Sequence, residues 1–218
     1  MTISLENWAN SYVKKVIDSR KHKVFISYHH ENDQDYKDNL VSLLENWAIS
    51  IDRSVGDGDI SDDCKDETIR QKIRDEYLRD STVTILLVGI ETKKRKFVDW
   101  ELYSSMYDGN VNKQSGILVI MLPSTKCTVP LLSNENEKME IYPEITNWIG
   151  EYSQTELVEI YNHYMPDRII DNLLTGECRI SVVPWKKINK SSLKLLIQNA
   201  YDNRITNKYD LRRKMMGR

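Results

Sequence analysis

Cysteine, proline, glycine and phenylalanine are all scarce in this chain, with 3, 5, 8 and 2 copies among 218 residues. The cysteines, Cys64, Cys127 and Cys178, are odd in number and widely spaced. That pattern excludes a disulfide framework and a zinc-ligand set, and it predicts reduced thiols in a cytoplasmic protein. No apolar run nears the roughly 20 residues that span a bilayer. The first residues lack a basic start followed by an apolar core, so neither a membrane partner nor a secretory leader is expected. Excess charge of either sign is lacking too: 31 basic side chains face 33 acidic ones, for a net charge of −2. Nucleic acid is therefore not an expected partner, and the local cluster Arg212, Arg213 and Lys214 reads as a solvated basic tail over 207–218.

Several motifs are missing as well. No Gly-x-Gly-x-x-Gly cradle follows the first strand-like segment, no Gly-Lys-Ser/Thr sequence exists, and no Gly-x-Ser-x-Gly elbow occurs. His29 and His30 stand in tandem, which cannot aim two ligands at one metal from a helix face, so no metal is expected.

What is present is a soluble globular composition, 40% hydrophobic and 29% charged, in which strand and helix patterns alternate. Leu5, Trp8, Tyr12, Val13, Val16 and Ile17 predict an N-terminal helical extension over 1–20. A buried strand over 24–28 leads through capping residues Asn32 and Asp33 to a helix from about 35 to 47. A short strand over 49–52 precedes an exposed loop containing Gly56, Asp57, Gly58 and Asp59. A charged helix at about 65–78, a strand over 83–88, a helix through Glu101 and a strand over 117–122 follow. The stretch 123–177 breaks this rhythm and reads as a helical insertion laid over one sheet edge, with 133–137 loop-like and helices at 155–164 and from Pro166 to before Gly176. A last strand at 179–183 and a helix capped by Ser191 complete the pattern. Such alternation predicts an α/β, doubly wound and mostly parallel sheet.

The segment Lys96-Phe97-Val98-Asp99-Trp100-Glu101 stands out because it sets a carboxylate where a helix should be oily. Phe97, Val98, Glu101, Leu102, Ser105 and Met106 share one stripe, with Trp100, Tyr103 and Tyr107 on the next. The ordinary role for Glu101 is an ion pair with a lysine or arginine at the edge of that stripe. Open parallel sheets bind ligands at the carboxyl ends of their strands. Tyr28, His29 and His30 follow the first strand there, Asp52 ends the second, and Phe97 and Glu101 follow the strand over 83–88.

Four segments in order, 24–30, 51–59, 81–89 and 95–101, together resemble the TIR-like domains of the bacterial Thoeris antiphage system, the ThsB-type proteins. The resemblance covers about 22–122 and, more weakly, 178–205, which bounds a TIR-like domain over 21–206. It implies a flavodoxin-like, three-layer fold with a five-stranded sheet, and NAD as substrate rather than as cofactor. It implies that Glu101 is the catalytic carboxylate, with Phe97 as the aromatic four residues before it and Tyr28, His29 and Asp52 as substrate-binding residues. Many relatives carry arginines where this chain has His29 and His30. The resemblance further implies a cyclic ADP-ribose-type product that reaches a separate effector by diffusion, and self-association through the loop at 56–59. Three functions stay open: an NAD-cleaving enzyme, releasing either a cyclic signal or plain ADP-ribose; an interaction module without turnover; and a nucleotide sensor that binds without converting.

Overall fold

The computed structural model describes residues 22–44, 49–110, 112–145 and 153–217, apart from the side chains of 49–52 and all of 53–63. The expected N-terminal helix and the loop at 56–59 lie outside the described residues. Five strands, β1 (His22–Ser27), β2 (Ile49–Asp52), β3 (Val83–Val88), β4 (Gly116–Met121) and β5 (Ser181–Pro184), form one sheet in the order β2-β1-β3-β4-β5. Every pairing is parallel.

The strands are apolar along their length because both faces are covered. Val24, Ile26, Ile85, Leu118 and Ile120 meet Leu40 and Leu44 of α1 (His30–Leu44) and Leu193, Leu196 and Ile197 of α7 (Lys190–Asn203) on one face. On the other, Leu86, Val88, Val119 and Met121 meet Val98, Leu102 and Met106 of α3 (Lys96–Met106). Phe25, also turned to that side, packs with Ile69 of α2 (Asp66–Lys72) and with Ile73 in the π-helical turn that continues it (Ile73–Tyr77). The result is the three-layer, flavodoxin-like arrangement that the alternation of elements predicts. Contact between layers is tight at Gly116, where a Cβ would sit 1.9 Å from the Ala200 carbonyl oxygen of α7.

Four readings need correction. The first helix starts at His30, before the expected position near 35. The segment at 133–137 is not loop throughout, since α4 (Glu135–Ile141) begins inside it. Its Glu137 is buried and accepts hydrogen bonds from Ser181 Oγ at 2.6 Å and Asn199 Nδ2 at 2.9 Å. The last helix is capped by Asn189, whose side chain accepts from the Ser191 and Ser192 amides, and not by Ser191.

The fourth correction concerns the tail. Residues 207–218 read as solvated, yet Met215 is 2% exposed and packs with Phe25, Ile69 and Trp100. The Arg213 and Lys214 carbonyls accept from Arg168, and the Met216 amide donates to Asp99 at 2.7 Å. A basic sequence docks here because its backbone finds polar partners while Arg212 and Arg213 pair with Asp210 and Asp171. The insertion likewise does more than cover an edge. Leu131 forms an antiparallel bridge with Val182 of β5. In addition, α5 (Gln154–Tyr161) and α6 (Asp167–Thr175) pack beside α3 on the second face through Leu157, Tyr161 and Ile169. No helix among the described residues is long and apolar enough to cross a membrane.

Candidate active site

In a sheet of this order the chain changes direction between β1 and β3, and the crevice opens at their carboxyl ends. A cleft of about 620 Å³ lies at that point, lined by Tyr28 to Glu31 after β1 and by Lys94 to Val98 and Glu101 after β3. Four expected site residues, Tyr28, His29, Phe97 and Glu101, therefore line one cleft. Asp52 ends β2 in register with Phe25, and its side chain lies outside the described residues.

Glu101 is 2% exposed and its Oε2 accepts a hydrogen bond from Ser27 Oγ at 2.5 Å. Strand alternation explains that bond. Val24 and Ile26 face α1, so Phe25 and Ser27 face α3, and Ser27 is the last residue of β1. The Ser27 hydroxyl thus fixes the direction of one carboxylate oxygen. An arginine does reach this helix, at a different carboxylate. Arg168 of α6, fully buried, makes a bidentate pair with Asp99 at 2.9 and 3.0 Å.

Aromatic groups flank the carboxylate. Phe97 stands edge-on to Trp100 with centroids 5.4 Å apart, and Trp100 is itself fixed by its Nε1 donating to the Met216 carbonyl. Trp100 and Tyr103 pack within the second face, as their position on the adjacent stripe predicts. Tyr28 donates to Gln34 Oε1 at 2.6 Å and stacks on His30 at 4.4 Å. Burial, with Asp38 and Glu101 nearby, raises the Tyr28 phenol above its ordinary value, so it stays protonated at neutral pH. Burial and the adjacent Arg95 push the His29 imidazole down, which leaves that ring neutral at pH 7.

Sequence reasoning missed Ser27, Glu31 and Arg95. Ser27 left a trace as the polar position in an otherwise apolar strand run. Arg95 left a stronger one, because Lys93, Lys94, Arg95 and Lys96 set four cations at the start of a helix, the end whose dipole repels them. Among the described residues no cluster of histidine, cysteine, aspartate or glutamate could hold a metal ion.

A parallel β2-β1-β3-β4-β5 sheet with a buried glutamate on the helix after β3, facing the crevice, defines a TIR-like domain of flavodoxin-like fold. Comparison with known families agrees and is more specific. Residues 25–127 match the model for the Thoeris protein ThsB, TIR-like domain. Over those residues the chain is similar to a ThsB-type TIR-like domain.

Proposed function

We propose that this protein cleaves NAD at the bond between nicotinamide and ribose, with Glu101 as the catalytic carboxylate, and forms a cyclic ADP-ribose-type signal for a separate effector. The observation that carries the reading is Glu101 itself: buried, lining the cleft, and hydrogen-bonded by Ser27. As the nicotinamide nitrogen leaves with the bonding electron pair, positive charge develops on the ribose. A carboxylate about 4 Å from a unit charge, at an effective dielectric near 20, contributes about 4 kcal/mol, or up to about a thousandfold in rate. Glycosidases use the same electrostatics. Phe97 and Tyr28, which also line the cleft, offer flat surfaces for the leaving ring. A nucleophile within the same ADP-ribose then bonds to the anomeric carbon and releases its proton, closing the ring. Attack by water at that carbon gives linear ADP-ribose instead.

The test is mass spectrometry of nucleotides from cells expressing the native chain or Glu101→Gln, before and after phage challenge. A Glu101-dependent species at the mass of cyclic ADP-ribose supports the proposal, and linear ADP-ribose alone makes the protein a plain NAD hydrolase. One observation favours a second reading: the Ser27–Glu101 bond also stitches α3 to β1, a role that an interaction module without turnover would keep. Equal NAD pools and no new nucleotide in either strain would select that module.

A further inference from the structure

The stretch of cleft wall from Lys94 to Val98 is gripped just outside each end by the junction of α5 and α6. On the near side, Lys93 lies in the short 3-10 turn after β3 (Thr92–Lys94). Its ammonium donates to the Asn162 carbonyl and to Asn162 Oδ1, each at 2.6 Å, and meets Asp167 Oδ1 at 2.8 Å. An ammonium has three donors, so the insertion supplies an acceptor for every one. Asn162 is the C-cap of α5 and Asp167 the first residue of α6. The carbonyl end of a helix favours a cation, which adds to the pull of the carboxylate.

On the far side, Asp99 receives the Arg168 guanidinium at 2.9 and 3.0 Å. Asp167 and Arg168 are consecutive in α6, and they present opposite charges to the two ends of the wall. A shift that exchanged their partners would set like charges together, so charge selects one seat for α6. The two grips differ in burial. Arg168 and Asp99 are 0% and 6% exposed, whereas Lys93 and Asp167 are 25% and 44% exposed. A part-exposed pair contributes little to global stability. The Lys93 grip can therefore open while the buried brace keeps the fold together. Asn162, Asp167 and Arg168 all lie outside the matched stretch 25–127, and no described residue of α5 or α6 lines the cleft.

We infer that Lys93, seated on Asn162 and Asp167, is a positioning residue through which the insertion fixes the 94–98 wall and, with it, the placement of Phe97 and Glu101. The inference rests on the reading of the cleft as the NAD site, and it adds the insertion to the machinery that shapes that site.

Hydrogen exchange of the full chain, read by mass spectrometry, tests the seat without any need for turnover. Lys93→Met keeps the length of the side chain and removes its charge and donors. It should speed exchange of the amides at 94–98 by about threefold or more while peptides from β1 and β4 stay as in the native chain. The melting temperature should move by less than about 4 °C, as for a part-exposed pair in a domain of this size. Lys93→Arg keeps the charge and should recover the protection. With NAD as substrate, Lys93→Met should lower kcat by about five- to tenfold with little change in KM, and Lys93→Arg should restore it. Unchanged exchange at 94–98, equal speeding throughout the sheet, no recovery in Lys93→Arg, or a native kcat in Lys93→Met would each overturn the seat. A wall that loosens as expected in a chain that cleaves no NAD would leave the seat standing and sink the enzyme.

Discussion

Asp99 and Glu101 lie two positions apart on α3, both buried, and they meet different partners. Asp99 turns toward the insertion and the C-terminal segment, where Arg168 cancels its charge and the Met216 amide adds a third bond. Glu101 lines the cleft, where a serine hydroxyl orients it. Burial alone therefore does not mark a reactive carboxylate. The charge of the partner does, because a carboxylate already paired with arginine has little field left to offer a substrate.

Breaking the braced side should have the largest effect. Asp99→Ala leaves the Arg168 guanidinium buried without its counter-ion, and removing one member of such a pair costs about 3–5 kcal/mol. A drop of that size in urea-unfolding free energy is expected, and an unchanged midpoint would mean that the 210–217 segment does not depend on this pair. Glu101→Gln should behave in the opposite way, losing up to about a thousandfold in NAD cleavage while stability moves by less than about 1 kcal/mol.

Asp33 sharpens the contrast as a third buried carboxylate near the same rim. It packs against Gly89, where a Cβ would meet its Oδ2 at 2.5 Å, and that oxygen has no hydrogen-bond partner among the described residues. Burial raises its pKa to about 6 from an ordinary 3.8. Between those values the native state holds a proton that the unfolded chain has released, so stability falls as pH rises from about 4 to 6 and stays at its lower level above that. Asp33→Asn should remove that slope and stabilise the protein at pH 7 by about 1–3 kcal/mol, as read from urea unfolding at both ends of the window. The smallest effect belongs to Ser27→Ala, which frees Glu101 to rotate. About a tenfold fall in kcat with little change in KM is expected, the signature of a positioning residue.

The parts of this design that follow local rules are legible in the sequence. Strands buried on both faces read as unbroken apolar runs, and β3 was bounded correctly at Val83 and Val88. Glu101 is visible because it interrupts an apolar stripe, and Gly176 because a left-handed C-cap with φ +68° suits glycine. What stays hidden depends on distant pairing. Arg168 reaches Asp99 across 69 positions, and nothing local to either residue names the other. The docking of the basic tail is hidden for the same reason, since its anchors are backbone groups that no side-chain pattern reports. The start of α1 was placed late because His30 and Glu31 look like loop residues, and the rim geometry that makes them useful exists only after folding.

The brace around Asp99 has a meaning for the chain while it is being made. Ser27 and Glu101 are 74 positions apart, and the Met216 amide that completes the Asp99 network lies 117 positions beyond Asp99. At translation rates of about 5–20 residues per second, that gap is roughly 6–23 s in which the carboxylate has been synthesised and its helix is still unsecured. On the proposed NAD-cleaving reading, such a delay is expected to keep the unfinished polypeptide inert on the ribosome.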